Sequence, residues 1–187
     1  VARNASRPRD LGLLDTIDAF KGEAIEESVW RVVGEERDPV LGAPSQSRWC
    51  NNRFDVLYTA FERDGALAEV FALLASQPVF PSKIRFFAHH LSVRLKKVLR
   101  LQDFDQLAKL GVDIARYREH LYEWTQDIAD AANFLGFDGL IAPSARCKGS
   151  ILVVFTDRLG DPDAVHLRSS DASPIDWGQW KRAPNLA

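Results

Sequence analysis

The chain has 187 residues, 46% of them hydrophobic and 27% charged, with a formal net charge of −2. That length and apolar content suit a single domain over residues 1–187 with a sizeable core, and the near-balanced charge argues against a dedicated nucleic-acid binder, whose footprint is usually basic. No apolar run approaches the roughly 20 residues that span a bilayer, and the N-terminal stretch lacks the apolar core of a signal peptide, so a cytoplasmic location is expected. Cys50 and Cys147 lie far apart, outside any CxxC pair, and read as free thiols.

In chain order, Val1 to Arg9 is polar and basic and is expected to be loose. Asp10 is placed to cap a helix whose apolar face is Leu14, Ile17 and Phe20, with Gly22 as its stop. Val29 to Val33 is β-branched and reads as a buried strand. Gly34 to Asn52 reads as a long connection, and such length is itself a mark of function. Phe54 to Ala60 is a second buried strand; Asp64 is the expected cap of a helix over Ala66 to Ala75, ended by Gln77-Pro78. Ile84 to Leu95 alternates as a strand, and Val98 to Leu101 continues in that style.

Asp103 to Leu110 reads as a short helix closed by Gly111, followed by a helical turn at Ile114 to Tyr117. Trp124, Ile128, Ala131 and Leu135 fall on one face of a helix stopped by Gly136. Gly139 to Ala142, Ile151 to Phe155 and Val165 to Leu167 are strand candidates, and Asp176 to Arg182, with Trp177 and Trp180, is an aromatic docked terminal helix. Strands dispersed among helices predict an α+β fold, a mixed or mainly antiparallel sheet system with packed helices.

The stretch from Val29 to Glu69 concentrates the chemistry. Arg31 lies inside an apolar strand, where a guanidinium needs a partner. Its fork of donors suits a diphosphate or a carboxylate, so a ligand site and an internal ion pair are both open. Arg48 and Arg53 flank the following loop; Arg48 can add charge for a dinucleotide, whereas Arg53 reads as solvated. Tyr58 either stacks on a flat ring at a cleft or sits in the core with its hydroxyl satisfied, and Trp49 has the same two readings. Glu69 lies near a helix start among apolar neighbours. It is either an exposed helix residue or a carboxylate beside a ribose, able to stabilise an oxocarbenium-like transition state. Ser144 follows Pro143 at a strand end, either a turn serine or a ligand contact, with no GxSxG elbow around it.

Other site classes find no support. His89 and His90 are adjacent and would point to opposite faces of a strand, His120 and His166 are isolated, and no metal-ligand spacing is present. Neither GxGxxG nor GxxxxGK[ST] occurs. The basic run Arg94-Leu95-Lys96-Lys97 reads as a solvated strand edge.

Trp30-Arg31-Val32-Val33, Arg48-Trp49, Leu57-Tyr58-Thr59-Ala60, Ala66-Leu67-Ala68-Glu69 and Pro143-Ser144-Ala145-Arg146 occur in the order found in the RES domain, which the chain resembles from about Ser28 to Phe155. On that basis residues 1–27 are an N-terminal extension with a helix, 28–155 the motif-bearing core, and 156–187 a C-terminal segment. The resemblance implies a toxin of a bacterial toxin–antitoxin pair with a fold similar to ADP-ribosyltransferase toxins. It implies NAD as substrate, without a metal. The nicotinamide–ribose bond would be split and ADP-ribose passed to a protein, such as an enzyme of nucleotide synthesis, or to water or phosphate. Arg31 and Arg48 would bind NAD phosphates or ribose, with Trp49 beside them. Tyr58 would pack on the nicotinamide side, Glu69 would act on the ribose, and Ser144 would complete the pocket. The implied partner is an antitoxin with a helix-turn-helix DNA-binding part and a part that plugs the cleft. One departure is that Gln46-Ser47 stands where Gly-Gly often precedes Arg-Trp, which reduces backbone freedom in that loop. The alternative is a non-catalytic module that holds a nucleotide or peptide in the same cleft.

Overall fold

The apolar runs assemble into one six-stranded sheet with helices packed on it, in a computed structural model that describes residues 8–101 and 103–181. The elements in order are α1 (Leu11–Asp18), β1 (Glu23–Gly34), β2 (Gln46–Ser47), β3 (Cys50–Asn51), β4 (Val56–Ala60), α2 (Arg63–Ala75) and β5 (Phe86–Arg100). There follow α3 (Phe104–Lys109), a 3₁₀ turn (Ile114–Arg116), α4 (Glu123–Phe134), β6 (Gly139–Pro143), β7 (Ser150–Phe155), a second 3₁₀ turn (Thr156–Arg158), β8 (Val165–Ser170) and α5 (Trp177–Lys181).

The strand order is β1-β4-β7-β6-β5-β8, and β1 also pairs with β5, which closes five strands into a ring. The β1–β5 pairing runs from Glu23 opposite Val98 to Gly34 opposite Phe86. Every pairing in the large sheet is antiparallel except β5–β6. Parallel neighbours need a long crossover, and here it carries α3, the first 3₁₀ turn and α4. The predicted α+β class with a mainly antiparallel sheet is the architecture observed.

Two apolar clusters follow from strand alternation. On β7, Leu152 and Val154 enter a cluster with Val29, Leu57, Leu91, Leu95 and Ile141. Ile151, Val153 and Phe155 enter the larger cluster, with Ile17 of α1 and Ile128, Ala129 and Ala132 of α4. Helix α1 therefore docks on the body of the protein, and Asp10 caps it as predicted, accepting the Leu13 N–H at 2.9 Å. Among the described residues no helix is long and apolar enough to cross a membrane.

Several elements differ from the sequence reading. The expected plain connection from Gly34 to Asn52 contains a two-strand hairpin, β2–β3, with Arg48-Trp49 as its turn. The cap of α2 is Glu62, and Asp64 lies inside the first turn. Ile84 to Leu101 contains one continuous strand, because Val98 pairs with both Glu23 and Gly139. The basic run within it lies where β8 pairing has ended at Val93 and β6 pairing has not begun before Val98, so β1 is its strand partner there; Arg94 and Lys96 are exposed, Leu95 is buried, and Lys97 Nζ donates to Leu135 O at 3.0 Å. Trp124, predicted on the buried face of α4, is 57% exposed, while Thr125, Gln126, Asp130 and Asn133 are buried there instead. Arg53 is not simply solvated; it pairs with buried Asp130 at 3.3 Å. Arg9, expected in the loose terminus, pairs with the same carboxylate at 2.6 Å, while residues 1–7, and Arg182 of the expected terminal helix, lie outside the described residues.

Candidate functional site

Strands β1 and β4, helix α2 and the β2–β3 hairpin wall a cavity of about 460 Å³, within the range of roughly 300–1,000 Å³ common for small-molecule sites. The topology explains the convergence. β1 and β4 are neighbours in the sheet, with Trp30 opposite Ala60, and α2 starts three residues after β4 ends. Arg31, Tyr58 and Glu69 thus reach one cavity from three consecutive large elements, and Arg48 joins them from the hairpin turn.

Arg31 is 8% exposed, and its Nη1 donates to Pro39 O and Leu41 O, both at 2.9 Å. Burial, and then the charge of Arg37, lowers its pKa to about 10, with Asp38 acting the other way. No carboxylate lies within ion-pairing distance of it among the described residues. Of the two readings that the sequence left open, the internal ion pair is not the one found. A buried cation satisfied by carbonyls keeps its charge unpaired, an arrangement suited to an anion.

Arg48 lies over the rings of Tyr117 and Tyr122, at 4.6 and 4.9 Å from their centroids, and its Nη2 donates to Glu119 O at 3.3 Å. Burial lowers its pKa and Arg146 acts in the same sense, while Tyr117, Tyr122 and Glu69 oppose. The hairpin beneath it is pinned by buried Gln126 of α4, whose Nε2 donates to Ser47 O at 2.8 Å and Cys50 O at 3.1 Å. Tyr58 pins it from the other side: its hydroxyl accepts the Trp49 N–H at 2.8 Å and lies 2.8 Å from Ser47 Oγ. Burial raises the Tyr58 pKa, so the phenol stays protonated. Tyr58 therefore combines both sequence readings: a ring at the cavity and a satisfied hydroxyl.

Glu69, two residues further into α2 than its expected cap implied, lines the cavity half-buried. Its Oε1 accepts the Ser144 hydroxyl at 2.5 Å. Ser144 is buried and does not line the cavity. Its expected place as a ligand contact is corrected to one behind the carboxylate, because the turn after β6 folds the hydroxyl back onto Arg146 N–H and Cys147 N–H. Trp49 is also corrected. It is fully buried in the main core and faces no ligand space, since the hairpin turns its indole inward while Arg48 points out.

The sequence reading missed Arg37, Arg146, His120 and Tyr122, which also line the cavity. Arg146 stands two residues after Ser144 in a quoted motif, which is a usable signal; the other three lie on loops whose approach only the fold sets. The lining holds four arginines against one carboxylate. Such a surface suits a dianionic ligand with one cation-stabilising group. His89 and His90 go to separate neighbours, Ser170 Oγ at 2.8 Å and the Trp30 ring at 4.8 Å. Among the described residues no three His, Cys, Asp or Glu side chains converge as a metal site.

A chain of the M. tuberculosis MbcT-MbcA toxin-antitoxin complex has a similar structure, with a TM-score of 0.79 at 24% sequence identity over 92% of this chain and 96% of that chain. At that identity the likeness shows the fold. No curated protein matches significantly. The model of the RES domain matches residues 28–178, which extends past the motif-bearing stretch through β8 and into α5. The chain therefore belongs to the RES domain family.

Proposed function

We propose that this protein is an NAD-consuming toxin that cleaves the nicotinamide–ribose bond and transfers ADP-ribose. The observation that carries the reading is the cavity shared by Arg31, Arg48, Tyr58 and Glu69, whose lining also holds Arg37 and Arg146, so that four arginines face one carboxylate. Arg31 holds the diphosphate and Arg48 the adjoining ribose. The ring of Tyr58 packs on the nicotinamide side. The bond from ribose C1′ to the nicotinamide nitrogen breaks with its electron pair leaving on nicotinamide, which departs neutral. Positive charge then builds on C1′ and the ring oxygen. Glu69, held in place by Ser144, stabilises that charge; such preorganised electrostatics is commonly worth about 10²–10³ in rate. A nucleophile adds at C1′ and loses its proton, giving ADP-ribosyl protein, ADP-ribose or its phosphate, so the enzyme is an ADP-ribosyltransferase or an NAD glycohydrolase or phosphorylase.

The fold likeness to a chain of a toxin-antitoxin complex supports a cytoplasmic toxin partnered by an antitoxin. An antitoxin with a helix-turn-helix part would supply the DNA contact that this mildly acidic chain does not suggest. An arginine-lined cleft suits an acidic tail as plug.

The test is mass spectrometry of NAD incubated with the purified protein. Free nicotinamide is expected from the wild type and not from Glu69→Gln protein with an unchanged circular dichroism spectrum. Tight NAD binding without any turnover would instead favour a non-catalytic module. Labelled NAD with lysate separates a labelled protein acceptor from free ADP-ribose or its phosphate.

A further inference from the structure

We propose that Arg37 is a substrate-binding residue which, together with Arg31, grips the two phosphoryl groups of a dinucleotide and makes the cavity select diphosphate over monophosphate esters. The inference rests on the NAD reading for its biological substrate, but the selectivity it asserts can be measured without turnover.

Arg37 stands in the turn that leaves β1. Its N–H donates to Gly34 O at 2.9 Å, which closes that turn and fixes where the side chain starts. The side chain lines the same cavity as Arg31. Of the neighbouring acids, Glu35 bonds Arg85, and Asp38 Oδ1 accepts the Val40 N–H at 2.9 Å. Arg37 has no ion pair among the described residues.

Arg31 uses Nη1 for both of its carbonyl bonds, which leaves the rest of its fork without a protein partner among the described residues. The charge of Arg37 is felt at Arg31, second only to burial. Two like charges brought together around empty space repel, and an anion between them relieves the repulsion. Glu69, by contrast, is felt at Arg48 and is not among the influences on Arg31. The Arg31–Arg37 end therefore sets two cations against Asp38, away from Glu69, and suits two phosphoryl groups. A lone phosphate would be met by the deeper Arg31, so the second phosphoryl group is the one that Arg37 reads.

The experiment titrates ADP and AMP by calorimetry into wild-type, Arg37→Ala and Arg37→Lys proteins at constant salt. We expect the wild type to prefer ADP. Arg37→Ala should weaken ADP roughly tenfold or more, as loss of a charge-assisted contact does, with AMP changed less than about twofold. Arg37→Lys should recover part of the loss, and with NAD the alanine variant should raise KM without lowering kcat. ADP bound equally by wild type and Arg37→Ala, an equal loss for both nucleotides, or no binding of either by the wild type would each overturn the proposal. ADP selectivity lost in Arg37→Ala without any nicotinamide release would leave this inference standing and sink the NAD reading. Nicotinamide release with an unchanged KM in Arg37→Ala would do the reverse. Arg37 is exposed, so the variants should fold, and thermal melts check that.

Discussion

The hydroxyl of Ser144 donates to Glu69 Oε1 at 2.5 Å while accepting the backbone N–H groups of Arg146 and Cys147 at 3.0 and 3.2 Å. A serine has one proton and two lone pairs. With both acceptor positions taken by the turn, its proton is directed to the carboxylate. The Cys147 thiol lies beside the same oxygen at 3.4 Å. Ser144 is thus a positioning residue. Ser144→Ala should lower kcat for nicotinamide release by about tenfold or more with little change in KM, because the carboxylate loses its orientation while the cavity lining stays intact. Steady-state kinetics reads the split; an unchanged kcat would rule the role out.

Glu69→Gln keeps an oxygen for the Ser144 proton but removes the charge. Nicotinamide release should fall by roughly 10²–10³, while NAD affinity stays within a few fold, since the cationic lining is untouched. Binding titration beside single-turnover kinetics makes the comparison. A variant with wild-type turnover would move the cation-stabilising role elsewhere.

Tyr58→Phe keeps the ring at the cavity and deletes the hydroxyl that accepts the Trp49 N–H. A buried donor left without a partner costs about 1–3 kcal/mol, and the hairpin that carries Arg48 loosens. We expect a lower urea midpoint together with a raised KM for NAD. Wild-type stability in this variant would show that Gln126 alone pins the hairpin.

Arg31 gives a pH prediction with a definite sign. Folding lowers its pKa to about 10, chiefly through burial, so the charged form opposes folding. That cost is present in full below about pH 10 and is relieved as pH rises from there toward the unfolded value. The charge therefore does not serve stability, and on the proposed function it serves binding. Affinity for ADP-ribose should hold steady between about pH 8 and 9 and fall as pH passes the lowered pKa. Arg31→Met should bind weakly at every pH yet unfold at no lower urea concentration, since replacing a buried charge by an apolar chain is often neutral or stabilising. Calorimetry across that range, with urea melts of both proteins, checks the two arms.

Gly139 tests the sheet. A Cβ there would lie 2.5 Å from Val153 O, and that backbone is held in the β6–β7 ladder. Gly139→Ala should destabilise by about 1–3 kcal/mol, the usual cost of overpacking, visible as a lower midpoint in chemical denaturation. A neutral effect would mean that the two strands can separate locally.

The legibility of the chain differed by residue. Apolar runs marked Ile151 to Phe155 and Phe54 to Ala60 because both faces of each strand meet an apolar cluster. The Asp10 cap was readable because capping is local, within three residues. Trp49 was misread because an indole in a polar loop carries no mark of the direction it faces; the hairpin turns it inward. Ser144 was misread because its partner, Glu69, is 75 residues away. Arg37 and His120 went unseen because nothing in their neighbourhoods shows which loops return to the cavity.

By itself the sequence determined the element types, the α+β class and an ordered set of motifs with an arginine in a strand and a glutamate near a helix start, since propensity, capping and periodicity act within a few residues. Only the tertiary structure decided that β1 and β4 lie side by side, that Arg31 meets carbonyls rather than a carboxylate, and that Ser144 supports Glu69 from behind. Those outcomes depend on ring closure between β1 and β5 and on the crossover to β6, contacts between residues far apart in the chain, which no local pattern encodes.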